Sequence, residues 1–311
     1  MSKKTITKFC VFVICAMAAS GCGYVSSSEI VVAPNSRFGP PTVVGKIKST
    51  EITESSGLAA SRCQSDVLWT HNDSGDGAFI FAINTKGETL GTWKVEGARN
   101  ADWEDIAAYK DKTGKCFIYI GETGNNKLKR PEHLVYRVAE PIVRPDDVKS
   151  NRSEPLATAA VESTRFTYPD FDQDAETLLV HPHTGAIYIV TKRVSGPAGV
   201  YRVKPDFGSA ETQPAESVGE LSVPAIPNGF LTGGDISPDG RHLIVCDYTR
   251  AYEYHLPESA AGFDAIWKEA AMPIELGPRK VGESICYNAD GSSLFATSEG
   301  KNSPVIEVKL K

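Results

Sequence analysis

One unit of short apolar runs recurs five times along this chain, and that recurrence restricts the fold more than any other feature. Each unit starts with a run led by a small or acidic residue: Ser56-Gly57-Leu58-Ala59, Glu104-Asp105-Ile106-Ala107, Glu176-Thr177-Leu178-Leu179, Thr232-Gly233-Gly234-Asp235 and Glu283-Ser284-Ile285-Cys286. A turn follows, plainest at Thr184-Gly185, Asp239-Gly240 and Asp290-Gly291, where glycine reaches positive φ without a steric penalty. Second runs come next, such as Ile118-Tyr119-Ile120 and Ile187-Tyr188-Ile189, then third runs such as Leu134-Val135-Tyr136 and Val200-Tyr201-Arg202. Fourth runs (90–95, 163–168, 217–223 and 273–276) complete the first four units, whereas the fifth has three. An unassigned run, Thr42-Val43-Val44-Gly45-Lys46-Ile47, precedes the first unit and is expected to supply the missing strand. That arrangement closes a ring and removes exposed sheet edges. The best short helical candidate is 263–271. The chain therefore reads as all-β: a β-propeller of five visible four-stranded blades, its ring closed by an N-terminal strand. Successive units start 48, 72, 56 and 51 residues apart. The excess in the second interval falls in 140–156, rich in Pro and charge, which reads as a surface insertion; a sixth, degenerate blade is the alternative.

Residues 1–21 have a different character. Lys3, Lys4 and Lys8 precede a nearly unbroken apolar stretch from Phe9 to Ala19, too short for the roughly 20 residues a membrane-crossing helix needs. Ala19-Ser20-Gly21-Cys22 resembles the lipobox of bacterial lipoproteins. The resemblance implies that Cys22 is acylated and becomes the mature N-terminus, tying the protein to a membrane outside the cytoplasm. Gly23 at the next position, in place of an acid, implies the outer membrane. A plain secretory signal cut near Ala19 is the alternative. Residues 22–41, with Ser26-Ser27-Ser28 and Gly39-Pro40-Pro41, read as a flexible tether, and 42–311 as one propeller domain, expected to be monomeric. Acids outnumber Lys plus Arg by 39 to 33 in the whole chain, so a nucleic-acid partner, which needs a basic face, is not expected. Four cysteines remain beyond Cys22. In an oxidising compartment their positions in the repeat favour Cys63–Cys116 and Cys246–Cys286, with buried thiols as the alternative.

Propeller geometry brings the leading residues of all units to one axial funnel. The inner ring is Ser56, Glu104, Glu176, Thr232 and Glu283, with Asp102 and Asp174 two residues before two of the glutamates. Three carboxylates at one level repel unless they share a cation, protons or water, so Glu104, Glu176 and Glu283 are the candidate metal ligands. A second ring comes from the ends of the second runs: Asn72, Asp73, Glu122, Lys192, Asp247 and Glu299, with Asn126 and Arg193 in the same loops. These residues, with Asp102 and Asp174, are the candidate ligand-binding set. A hard divalent cation, calcium above all, wants such oxygens. Paired carboxylates could instead act as acid and base on a glycosidic bond, and water-filled structural polarity is the third reading. His71 is expected to be a hydrogen-bonded structural residue, His181 and His183 to sit in an exposed hairpin, and Trp103 to pack between blades. No GxSxG, P-loop or strand–GxGxxG–helix pattern occurs.

Asp102-Trp103-Glu104-Asp105-Ile106-Ala107, Gly121-Glu122-Thr123-Gly124-Asn125-Asn126, Asp174-Ala175-Glu176-Thr177 with Thr191-Lys192, and Gly282-Glu283-Ser284-Ile285 together resemble a group of largely uncharacterised secreted bacterial propellers. More loosely the chain is similar to phytase-like propellers. That likeness implies acid clusters holding calcium ions that bind and cleave phosphate esters, with Lys192 and Arg193 as phosphate holders. A scaffold presenting its faces to other envelope proteins is the remaining class.

Overall fold

The computed structural model describes residues 36–311. The signal segment, Cys22 and the tether as far as residue 35 lie outside the described residues.

Five sheets, each with four antiparallel blade strands, stand around one axis. Blade 1 runs Ser55–Ala60, Leu68–Asn72, Phe79–Ile83, Thr89–Lys94; blade 2 runs Trp103–Lys110, Cys116–Glu122, His133–Ala139, Glu162–Thr167. Blade 3 is Ala175–Val180, Ile187–Thr191, Ala198–Val203, Glu216–Leu221, and blade 4 is Gly233–Ile236, His242–Cys246, Arg250–His255, Met272–Glu275. Blade 5 has Ile285–Tyr287, Ser293–Ala296 and Pro304–Leu310, and its outer strand is Phe38–Lys46, paired antiparallel with Pro304–Leu310. The N-terminal run therefore closes the ring as expected, but the strand begins at Phe38, inside the segment read as tether.

The unbroken apolar character of the inner and second strands has a simple cause: both faces of each sheet are covered by neighbouring blades. Five separate apolar layers result, one for each pair of adjacent blades. Trp69 and Trp93 of blade 1 meet Trp103 and Ile120 of blade 2 in one, while Leu178 and Ile189 of blade 3 meet Ala107 and Tyr119 of blade 2 in the next. The remaining three layers join blades 3 and 4, 4 and 5, and 5 and 1. Burying each large side chain in such a layer contributes about 1.5–3 kcal/mol. Inner strands touch all the way round the axis.

The 72-residue interval holds no sixth blade. Its extra chain forms a 3-10 turn at Pro145–Lys149 and a two-residue strand, Leu156–Ala157, laid parallel to the outer strand of blade 1 at Trp93–Lys94. Glu140 accepts from Trp69 Nε1 at 2.9 Å and the Pro141 carbonyl from Gln64 Nε2 at 2.9 Å, so the insertion straps blade 2 onto blade 1. The helical candidate at 263–271 is a 3-10 turn, Phe263–Lys268, whose Ile266 and Trp267 cover the seam of blades 3 and 4.

Cys63 and Cys116 form a disulfide that joins blades 1 and 2. The second expected pair does not form: Cys246 and Cys286 are buried free thiols. Strand parity explains the difference, because Cys246 enters the layer between blades 4 and 5 while Cys286 enters the layer between blades 5 and 1. Burial pushes the Cys246 thiol up to about 11. Ring closure is also pinned electrostatically, by Arg37 forming a two-pronged pair with the buried Glu253 of blade 4.

Candidate functional site

The residues that open the funnel are placed by a repeated local irregularity. In blades 1, 2 and 3 the pairing of inner and second strands slips by one residue: Ser55 faces Asn72 and Gly57 faces His71, Trp103 faces Glu122 and Asp105 faces Gly121, Ala175 faces Thr191 and Thr177 faces Val190. The unpaired extra residues are Ser56, Glu104 and Glu176. A bulge of this kind bends the strand and re-aims one side chain, so the ring positions at the funnel of these blades are bulge residues.

Their side chains then diverge in role. The Ser56 hydroxyl donates to the Glu104 carbonyl at 2.7 Å, and Thr232 does the same to the Gly282 carbonyl at 3.1 Å, so these two members of the expected ring rivet adjacent inner strands. Glu104 is the opposite case. Its side chain is only 5% exposed, yet no hydrogen-bond donor reaches its carboxylate among the described residues. Carboxylate oxygens of Asp73, Asp102 and Glu104 all lie within 4.8 Å of one another. Alternation places Asp102 and Glu104 on one side of the strand and Trp103 on the other, where its Nε1 donates to the Arg99 carbonyl at 2.9 Å. Gly124 backs this trio; a Cβ there would overlap the Glu104 carboxylate and press on Asp102, which is why the loop after Glu122 carries glycine at that point. Burial, then Glu176 and Asp73, holds the Glu104 carboxyl well above its ordinary range, and burial with Asp73 pushes Asp102 up to about 6. Asp174 is raised by burial as well, and accepts from the Asn125 backbone at 2.7 Å.

Glu176 and Glu283 do not join that trio; they form a second acidic group beside it, and Glu176 is the neighbouring charge that raises Glu104 most. Glu176 is paired with the Lys192 ammonium, which also donates to Tyr248 Oη at 3.3 Å and lies 4.7 Å from the Phe230 ring centre. Burial outweighs this partner and leaves Glu176 raised to about 7. Glu283 is pushed up to about 9 by burial, then by Glu176 and Glu299. Repulsion runs from Glu104 to Glu176 to Glu283, so the three expected glutamates share one funnel while belonging to different local sites.

Several second-ring residues serve their own loops. Asn72 accepts from the Thr53 and Glu54 backbone at 2.9 and 3.1 Å and donates to the Glu51 carbonyl and Asp76. Asp247 accepts from the Thr249 and Arg250 backbone and from Tyr252 Oη at 2.7 Å. Glu122 is held by Arg130 at 2.5 Å and by the Ala101 backbone at 2.9 Å. Asn126 is exposed on the rim. With its polar atoms taken by its own loop, neither Asn72 nor Asp247 offers a ligand atom. His71 is buried, its Nδ1 2.9 Å from the Asn72 carbonyl, and burial lowers it, in keeping with a structural part. His181 and His183 occupy a turn, where His181 is buried rather than exposed.

Deeper along the axis lies a polar layer that the ring alignment leaves out. Asp105 accepts from its neighbour Ile106 and from Leu178 N of blade 3 at 3.0 Å; Asp235 accepts from Ile236 and from Tyr287 N of blade 5 at 3.0 Å. Each carboxylate thus splints two inner strands. Arg62, from the first hairpin of blade 1, reaches Asp235 at 3.1 Å. The available signal was the repeated Asp-Ile pair inside otherwise apolar inner strands.

No known family matches the chain, and no curated protein matches it. Among solved structures it is similar to the β-propeller domain of Cps50 (Swd1) from Myceliophteria thermophila, at 12% identity, with 86% of this chain and 99% of that chain covered and a TM-score of 0.43.

Proposed function

We propose that this β-propeller is a binding protein of the bacterial envelope, anchored at the outer membrane through an acylated Cys22, whose funnel holds a divalent cation on Asp73, Asp102 and Glu104. The observation that carries the reading is the Glu104 carboxylate, in a residue only 5% exposed, with no donor among the described residues and two further carboxylates within 4.8 Å. Three like charges at that spacing are mutually destabilising, and a doubly charged ion between them adds an attraction to each carboxylate that outweighs their mutual repulsion. The donors are all hard oxygens, and calcium suits them best, with water and carbonyls completing its six to eight ligands. Arg130, paired with Glu122, only partly offsets the charge of Asp102, whose carboxyl stays raised to about 6.

Binding is favoured over the phosphoesterase reading by the state of Lys192. Of the two expected phosphate holders, the Lys192 ammonium is already matched by Glu176, which leaves Arg193 alone for a phosphate. The test is calorimetric titration of the chelator-treated protein with calcium, magnesium and manganese, alongside melting curves. Calcium is expected to release heat and raise the melting temperature, and Glu104→Gln to abolish both. Absence of heat and of any thermal shift with all three ions overturns the cation reading. The anchor is tested separately, by the mass of the mature N-terminus and by release of Cys22→Ser from the membrane fraction.

A further inference from the structure

Beside the acidic funnel, loops of blades 2 and 3 and the connections on either side of blade 3 enclose an open cavity of about 580 Å³. This is within the size range of small-molecule sites. Its composition differs from that of the funnel. Leu128, Phe171 and Val194 line it and are 52%, 62% and 77% exposed, three of the most exposed large apolar side chains among the described residues. Phe230 forms the inner wall. Large apolar side chains gathered this openly around one hollow mark a binding surface.

Arg193 says what enters. Among the described residues its guanidinium donates to Gln173 Oε1 at 3.3 Å, stands beside the Tyr201 hydroxyl, lies 5.8 Å from the Phe171 ring centre, and makes no ion pair. Its backbone is fixed by the Gly229 carbonyl at 2.8 Å, so the side chain springs from a held point. Lys192 next to it is neutralised by Glu176, which leaves Arg193 as the free positive group of the cavity. Asp172 and Asp174 line the same hollow. Two fixed negative charges penalise a dianion such as a phosphate monoester more than a monoanion, and a planar carboxylate matches the guanidinium fork.

We infer that this cavity binds a small organic monocarboxylate, its carboxylate on Arg193 and its apolar or aromatic body against Phe171, Val194, Leu128 and Phe230. The inference goes beyond the cation site and does not depend on it.

The probe is 4-phenylbutyrate, followed by ligand-observed NMR and calorimetry on the full protein with chelator present throughout, so that failure here leaves the cation reading untouched. A dissociation constant on the order of 1 mM or tighter is expected for a ligand of this size. Arg193→Gln is expected to weaken binding about tenfold or more, through loss of a charge-assisted pair. Phe171→Ala, at an exposed position that the fold does not need, is expected to weaken it about threefold or more. The alcohol 4-phenylbutanol is expected to bind about tenfold less well. The inference is overturned if 4-phenylbutyrate does not bind, if phenyl phosphate binds more tightly, or if affinity survives both Arg193→Gln and Phe171→Ala. Thermal melting confirms folding of each variant; should Arg193→Gln fail to fold, Phe171→Ala and the alcohol comparison decide.

Discussion

Replacing Glu104 by glutamine is expected to stabilise the protein, contrary to the usual result of altering a buried charged residue. Glu104 lies within 4.8 Å of two other carboxylates. At an effective dielectric constant of about 20, a pair of unit charges at that distance repels by about 3.5 kcal/mol. Salt and the partial exposure of Asp73 and Asp102 reduce the sum over both neighbours to about 2 kcal/mol, a lower bound because burial and the Glu176 charge act in the same direction. Because the folded carboxyl sits above its ordinary value of 4.5, the folded state keeps a proton that the unfolded chain releases. Stability contributed by this group is therefore complete at low pH and declines as pH rises from about 4.5 through the raised folded value. Glutamine removes that decline, and its amide can donate to Asp73 or Asp102. Urea denaturation in chelator should show Glu104→Gln more stable than the parent by about 2 kcal/mol at pH 8, with the two converging near pH 4.5. Calcium at a hundred times its dissociation constant should add about 2.7 kcal/mol to the parent and nothing to the variant. A variant less stable than its parent at pH 8 in chelator would show that Glu104 is an ordinary structural acid, and the reasoning would fail.

The ring was legible because a blade buried on both faces writes its strands as short apolar runs, and because the run at 42–47 had no place except beside the last blade. The funnel was legible at the level of which residues meet, since Asp102 and Glu104, like Asp174 and Glu176, alternate onto one side of a strand. Which carboxylate pairs with which was not. That depends on the one-residue bulges at Glu104 and Glu176, and a bulge is set by pairing with the second strand rather than by any period along the first. Asp235 lies three places beyond the ring residue Thr232 on its strand, and its work with Arg62 across 173 residues has no local signature. Arg37 and Glu253, 216 residues apart, are equally silent in sequence. Cys246 and Cys286 occupy corresponding neighbourhoods of the repeat, yet their strand parity sends them into different layers.

Removing the disulfide with Cys63→Ser and Cys116→Ser frees a segment spanning 53 residues, which the chain-entropy estimate values at up to about 4 kcal/mol. Calorimetry should show a melting temperature lower by roughly 10 °C; no change would mean that the insertion strapped over blade 1 already restrains that segment. Arg62→Met leaves the buried Asp235 without its cation, and equilibrium unfolding should register a loss of about 3–5 kcal/mol at neutral pH. Lys192→Met separates charge from packing at the second group of the funnel. Its ammonium is the counter-charge that keeps Glu176 near 7 in spite of burial, so the substitution drives that carboxyl higher still. The variant's folded state then holds its proton to higher pH, and its stability falls below the parent's as pH rises above about 7, where the parent's Glu176 ionises and the variant's does not. Urea unfolding at pH 5 and pH 8.5 should therefore give a small difference at the first and one of up to about 2 kcal/mol at the second, at about 1.4 kcal/mol per pH unit above 7. An equal loss at both values would assign the role of Lys192 to the contact of its stem with Phe230 and Tyr248 rather than to its charge, because packing against the rings does not titrate.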